Sequence, residues 1–146
     1  MERLLISSCL LGLATRYDGR TKAVFSESDI SRLSEKYELV PVCPEIYGGL
    51  PTPRTPSERV GDRVLMKDGT DVTENYRKGA SDALVLCRIL GIKKALLKAR
   101  SPSCGKGEVY DGSFSGTLVS GHGVAAELLL NNGVEVYTEN ELDKLI

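Results

Sequence analysis

The chain of 146 residues is long enough to bury a hydrophobic core without a disulfide or a structural metal. Its composition, 41% hydrophobic and 27% charged with a formal net charge of -1, is that of an ordinary globular protein and argues against a general nucleic-acid binder. No apolar run approaches the ~20 residues that span a bilayer, so we expect one cytoplasmic domain over residues 1–146 whose four cysteines are thiols or metal ligands.

In the first half of the chain, apolar and β-branched residues predict a strand at Arg3–Ser7. Ser26 is the predicted N-cap of a helix that extends to about Tyr37. A second strand, Glu38–Cys43, ends at Pro44 because proline cannot continue the hydrogen-bond ladder. The Pro- and Gly-rich insert "PEIYGGLPTPRTPSE" follows, and its composition predicts neither a helix nor a strand.

The second half begins with a hairpin, whose turn is predicted at Asp68-Gly69. The longest helix then has Thr73 as its predicted cap and ends at Gly91. The remaining predicted elements are a strand Lys94–Ala99, an extended segment Phe114–Val119, a helix Gly123–Asn131, a strand Val134–Thr138, and a terminal helix with a Thr138–Glu141 capping box.

Strands that alternate with helices predict an α/β fold in three layers, a mostly parallel sheet with flanking helices and an irregular Pro/Gly-rich insert. Ligands bind such sheets at the carboxyl ends of the strands. Cys9 and Cys43 stand at the ends of the first two strands, and Cys104 lies a few residues past the third. These three thiols are therefore expected at one edge of the sheet, whereas Cys87 is predicted to be a core residue of the long helix.

Three converging thiols have more than one interpretation. They are either unrelated thiols, including the nucleophile of a metal-free enzyme that uses Cys104, or ligands of a metal. Zinc requires a fourth ligand, for which His122, the only histidine, is the candidate. A cubane iron–sulfur cluster accepts three thiolates and leaves one iron open for substrate or water, as a Lewis-acid catalyst requires. A non-catalytic zinc or iron–sulfur module that senses redox state or binds a partner is the alternative to an enzyme.

Several polar side chains accompany the cysteines. Glu45 comes two residues after the second cysteine, and a carboxylate beside a metal is a natural general acid/base. Ser101 and Ser103 precede the third cysteine, and their hydroxyls are candidates for binding a substrate or for closing a turn. Arg16 and Arg54 lie in loops near the first two cysteines and offer planar guanidinium groups to a phosphate, carboxylate or polar heterocycle.

The motifs "SCLLG", "RYDG", "CPE…GGLPTPR", "DVT", "ARSPSCG" and "GHGVAAELLLNNGVEV" together resemble the 2-thiouracil desulfurase family of bacteria and archaea, over nearly the whole chain. The resemblance implies a [4Fe-4S] cluster held by Cys9, Cys43 and Cys104, with Glu45 and Ser101 in the active site. The implied reaction replaces the C=S group of a thiolated pyrimidine or a related thiocarbonyl compound by C=O and releases sulfide. The implied substrate is a small thiolated base or nucleoside.

Overall fold

A computed structural model describes residues 1–21 and 24–146, and its secondary structure alternates between strands and helices. In chain order the strands are β1 (Glu2–Ser7), β2 (Tyr37–Val42), β3 (Ser57–Val60), β4 (Arg63–Met66), β5 (Lys94–Leu97), β6 (Glu108–Tyr110), β7 (Leu118–Ser120) and β8 (Glu135–Thr138). The α-helices are α1 (Glu27–Lys36), α2 (Pro44–Tyr47), α3 (Thr73–Leu90) and α4 (Val124–Asn131), and 3₁₀ helices cover Ser8–Leu11 and Glu139–Lys144.

The central sheet has four parallel strands in the order β2-β1-β5-β8. Two antiparallel hairpins, β3–β4 and β6–β7, stand outside it. Because successive side chains of a strand point to opposite faces, β1 contributes Leu5 to one core and Leu4 and Ile6 to the other. Helices α3 and α4 cover the first face, while α1 and the C-terminal segment cover the second. The predicted three-layer α/β fold is confirmed.

Most of the predicted elements are present. The four predicted strands correspond to β1, β2, β5 and β8, and the first helix begins at Ser26, whose side chain accepts a hydrogen bond from Asp29 N. The left-handed conformation of Gly91 ends α3, because glycine adopts this conformation without a steric penalty. Within the described residues, no helix is long and apolar enough to cross a membrane.

Two local predictions are wrong, and the prediction of the hairpin at Asp68-Gly69 is confirmed only in part. The Pro/Gly-rich insert contains a one-turn helix, α2, because Pro44 at its first position has the φ angle that a helix requires. Asp68-Gly69 does form a turn, but β4 pairs mainly with β3, and only a single bridge joins Leu65 to Asp71 across that turn. Thr73 is the first residue of α3 rather than its cap, and the Asp71 carboxylate accepts the Thr73 N–H instead.

The β6–β7 hairpin is predicted only in part. Its first strand, β6, lies outside the predicted segments, since its three residues carry too short a pattern to be recognised. The predicted extended segment overlaps only the start of β7 at Leu118 and Val119. Phe114 instead has a positive φ of 56°, which places it in a turn and not in a strand.

The predicted capping box near the C-terminus is confirmed, with Thr138 and Glu141 bonded reciprocally. Burial alone would raise the pKa of Glu141, but hydrogen bonds from Lys106, Lys144 and the Thr138 N–H lower it to about 2. The folded state therefore binds the Glu141 proton more weakly than the unfolded chain does. This difference stabilises the fold above the ordinary glutamate pKa, and the stabilisation is lost as the pH falls toward 2.

We predict that Glu141→Gln lowers the free energy of unfolding by on the order of 1 kcal/mol at pH 7, since the substitution removes a charge paired with two lysines. Urea denaturation between pH 2 and pH 7 measures this loss. The loss should shrink below about pH 4.5 and vanish near pH 2. Glu35→Gln, at an exposed position on α1, is the control and should leave the free energy of unfolding at pH 7 close to that of the unmodified protein. A constant difference across the whole range would contradict the prediction.

Candidate active site

Three cysteines lie at the carboxyl edge of the central sheet. Cys9 lies in the 3₁₀ helix directly after β1, Cys43 lies between β2 and α2, and Cys104 lies in the loop after β5. Since β2, β1 and β5 are parallel neighbours, the three loops leave the sheet on the same side. All four cysteines of the chain are free thiols, and the fourth, Cys87, lies in α3 and is buried in the core.

The three thiols at the edge share a poorly solvated environment. Burial raises the pKa of Cys9 to about 11 and also raises that of Cys43. Burial raises the pKa of Cys104 to about 12, although the neighbouring hydroxyl groups of Ser7 and Ser103 lower it in part. The charges of Cys9 and Cys43 each act on the pKa of Cys104, so the three sulfurs lie within electrostatic reach of one another. Three thiolates become favourable here when a cationic centre binds them.

Thiolate sulfurs are the ligands that an iron–sulfur cluster requires, and three free cysteines lie at this edge of the sheet. Among residues 1–21 and 24–146, no three His, Cys, Asp or Glu side chains converge closely enough to ligate one metal ion. A cubane cluster places each ligand sulfur on a different iron, so its ligands are spaced more widely than those of one Zn²⁺. His122 Nδ1 accepts a hydrogen bond from Gly107 N at 3.0 Å, so the neutral imidazole carries its proton on Nε2 and has no free lone pair to offer a zinc ion.

The loop that carries Cys104 is fixed by the start of α4. The N–H groups of Val124 and Ala125 donate to the carbonyls of Pro102 and Ser103 at 2.9 and 2.8 Å, so the loop satisfies donors that a helix N-terminus leaves free. A side chain at Gly123 would come within 2.6 Å of the Ser103 carbonyl oxygen. Only glycine therefore permits this close approach.

Helix α3 holds the Cys43 segment from the other side. A Cβ atom at Gly79 would overlap the carbonyl of Pro44, and one at Gly48 would overlap the carbonyl of Asn75. The Asn75 side chain also donates to the Gly48 carbonyl at 2.9 Å. These two glycines thus allow α2, which begins directly after Cys43, to pack against α3 backbone to backbone.

Glu45 lies in α2 at the centre of a largely buried hydrogen-bond network. Its Oε1 accepts from Arg54 Nε at 3.0 Å and from the Tyr76 hydroxyl at 2.9 Å. Its Oε2 accepts from Ser103 Oγ at 2.9 Å. The Arg54 side chain is 3% exposed and also donates to the Thr15 carbonyl at 2.9 Å. The network therefore joins the loops that follow β1, β2 and β5.

The other candidate residues have different surroundings. Ser101 Oγ accepts from Ser103 N and Cys104 N at 3.2 and 3.1 Å, and it lies 3.0 Å from Ser103 Oγ. Ser101 therefore shapes the cysteine loop, while Ser103 is the serine that reaches Glu45. Arg16 pairs with Asp18 at 3.2 Å in the loop after Cys9, and its side chain is part-exposed.

Tyr76 is the residue of this network that sequence reasoning missed. It lies on the apolar stripe of the long helix, where the pattern predicts a core position, and its 1% exposure confirms that position. The available signal was chemical, since a buried tyrosine hydroxyl requires a hydrogen-bond partner. Its partner could not be identified from spacing, because Glu45 precedes Tyr76 by 31 residues.

Comparison with known proteins identifies the family of the chain. The family model for 2-thiouracil desulfurase matches residues 4–141. "Uncharacterized protein YbbK" of Bacillus subtilis (strain 168) is 38% identical over 153 aligned residues, which cover 98% of this chain and 99% of the relative. A solved structure of a "[4Fe-4S]-dependent thiouracil desulfidase TudS" is 43% identical with a TM-score of 0.93, and the match covers 99% of this chain and 95% of that one.

We predict that Gly79→Ala lowers the free energy of unfolding by about 1–3 kcal/mol, because the new methyl group forces α2 away from α3. Alanine would otherwise stabilise a helix by about 1 kcal/mol relative to glycine, so the direction of the change is informative. Urea denaturation measures it, with Ser81→Ala at an exposed position of the same helix as the control. If Gly79→Ala were as stable as the unmodified protein, the close approach of α3 to the Pro44 carbonyl would be contradicted.

Proposed function

Because the chain belongs to the 2-thiouracil desulfurase family, we propose that it is an enzyme that removes sulfur from a thiolated pyrimidine in a cluster-dependent reaction. Water supplies the oxygen that replaces the thiocarbonyl sulfur. The sulfur leaves with both protons of that water, either as hydrogen sulfide or as a hydrosulfide ion and a separate proton. No electrons are gained or lost overall. The reaction therefore needs neither an oxidant nor a reductant.

The observation that carries the proposal is the position of three free thiols beside a buried carboxylate network at one edge of the sheet. We propose that Cys9, Cys43 and Cys104 hold a [4Fe-4S] cluster, as in the structural neighbour named for this cofactor. When bound, such a cluster supplies an open iron that acts as a Lewis acid. Proton transfer and orientation remain tasks for the side chains of the protein.

We assign the proton transfers to Glu45. Its Oε2 accepts a hydrogen bond from Ser103 and therefore faces the Cys104 loop. From there it takes a proton from the attacking water and returns one to the leaving sulfur. Ser101 and Ser103 orient this segment, with Ser103 in contact with both Glu45 and the Cys104 sulfur. Arg54 acts through Glu45, and Arg16 remains a candidate for contact with the substrate.

The proposed substrate is a small thiolated base or nucleoside, and a single domain over residues 1–146 provides the whole site. A formal net charge of -1 gives no bulk attraction to a polyanion such as RNA. Four free cysteines support a reducing, cytoplasmic location, because thiols persist in that compartment. A non-catalytic redox or partner-binding module leaves the hydrogen-bonded Glu45 without a role, and we therefore prefer the enzyme.

Cys9→Ala, Cys43→Ala and Cys104→Ala should each abolish the visible absorbance of the reconstituted cluster and reduce sulfide release to background. The physical reason is that two thiolates do not hold a cubane that needs three. Anaerobic reconstitution, iron analysis and sulfide release from 2-thiouracil provide the measurements. Cys87→Ala, which alters only a buried core thiol, should retain cluster and activity. Full activity in any of the three site variants would reject the proposed ligand set.

Glu45→Gln should retain the cluster absorbance but lower kcat by about 10²–10⁴-fold, because glutamine keeps the shape of the side chain and cannot transfer a proton. Steady-state sulfide release measures kcat, and the visible spectrum reports the cluster. Glu127→Gln, which loses only a surface ion pair with Arg59, is the matched control and should retain its turnover. Turnover of Glu45→Gln equal to that control would remove the acid/base role.

A further inference from the structure

We propose that Tyr76 is a positioning residue for Glu45, which fixes the carboxylate so that Oε2 is directed toward the cysteine loops. This inference rests on the proposed function, in which Glu45 transfers protons. The contact that supports it is the hydrogen bond from the Tyr76 hydroxyl to Glu45 Oε1, at 2.9 Å. This hydrogen bond joins α3, which carries Tyr76, to α2, which carries Glu45 and directly follows Cys43.

The two carboxylate oxygens of Glu45 have unequal partners. Oε1 accepts from both Arg54 and Tyr76, and these two donors occupy the two lone pairs of one carboxylate oxygen. Oε2 accepts from Ser103 and keeps a second lone pair available for a reacting group. Without the Tyr76 hydroxyl, the carboxylate would be held by two of these three hydrogen bonds, and its orientation would be less restricted.

Tyr76 is held rigidly enough to act in this way. Its side chain is 1% exposed and packs in a small core with Leu50, Val64 and Val72, between α3 and the β3–β4 hairpin. Burial raises the pKa of Tyr76, and the charge of Glu45 raises it further. The phenol therefore keeps its proton and acts as the donor in the contact with Glu45.

Ser57 extends this arrangement to the hairpin. Among the described residues, its Oγ is the buried side-chain oxygen or nitrogen without a hydrogen-bond partner. It lies near the Tyr76 hydroxyl and counters in part the effect of burial on the pKa of that phenol, although the two groups make no hydrogen bond of good geometry. Buried hydroxyls without partners are rare in proteins. Tyr76 thus has polar neighbours, Glu45 and Ser57, at its hydroxyl end and apolar neighbours around the rest of its ring.

The test compares Tyr76→Phe with Tyr37→Phe, both studied as cluster-loaded protein. Tyr37 is 2% exposed, and its hydroxyl donates to the Leu145 carbonyl at 3.1 Å on the opposite face of the sheet. Each variant loses one hydroxyl and one buried hydrogen bond, so both should lower the melting temperature by similar amounts. Only Tyr76→Phe should lower kcat, by about 10-fold to 100-fold, because a misoriented catalytic group loses that order of rate. KM, iron content and the visible spectrum should stay close to those of the unmodified protein.

Crystal structures of both variants provide a readout that does not depend on activity. In Tyr76→Phe the Glu45 carboxylate should turn and its hydrogen bond to Ser103 should lengthen or break, whereas in Tyr37→Phe it should remain in place. Glu45 unmoved in Tyr76→Phe would overturn the inference, and so would a turned Glu45 with kcat equal to that of Tyr37→Phe. If the unmodified protein released no sulfide, the proposed function would fail, and the orientation of Glu45 would still decide the role of Tyr76.

Discussion

The positions of Cys9, Cys43 and Cys104 depend on one constraint, the parallel pairing of β1 with β2 on one side and β5 on the other. Neighbouring parallel strands end at the same edge of the sheet. The segments that follow them therefore lie beside one another, although they are tens of residues apart in the sequence. An antiparallel partner for β1 would send one of these loops to the opposite edge. The sheet thus determines which loops meet, and it leaves their exact conformation to other contacts.

Close backbone packing supplies those contacts. Gly79 lets α3 touch the carbonyl of Pro44, and Gly123 lets α4 start directly against the carbonyl of Ser103. In both cases the neighbour of a cysteine is held by backbone atoms, which have fewer accessible conformations than side chains. The loops that carry Cys43 and Cys104 therefore pack against α3 and α4, the same helices that cover one face of the sheet. Site geometry and core packing on that face depend on each other, and a change in either should affect both.

Sequence patterns predict the sheet strands and the shared edge, because period-two runs and the residues that end them are local signals. They fail where the deciding partner is distant. The turn at Asp68-Gly69 is recognisable, but the choice of β3 as the partner of β4 depends on packing with α3. Tyr76 is recognisable as buried, but its contact with Glu45 is not. Arg54 was expected to face a substrate, whereas its guanidinium is buried against Glu45 and Thr15.

The charges around the three thiols are relevant to the proposed binding of a cluster. Glu45 has Arg54 as its buried counter-ion, and Glu139 pairs with Lys98 at 2.6 Å near Cys9. The carboxylates are thus already compensated by the basic side chains of the same loops. Burial, and to a smaller extent the charges of the neighbouring cysteines, raise the pKa values of Cys9 and Cys104, so the three thiols ionise with difficulty in the absence of a cation. A cluster held by the three cysteines, as proposed, would supply positive charge, so cluster binding and thiol ionisation should occur together, and loading should become more favourable as the pH rises.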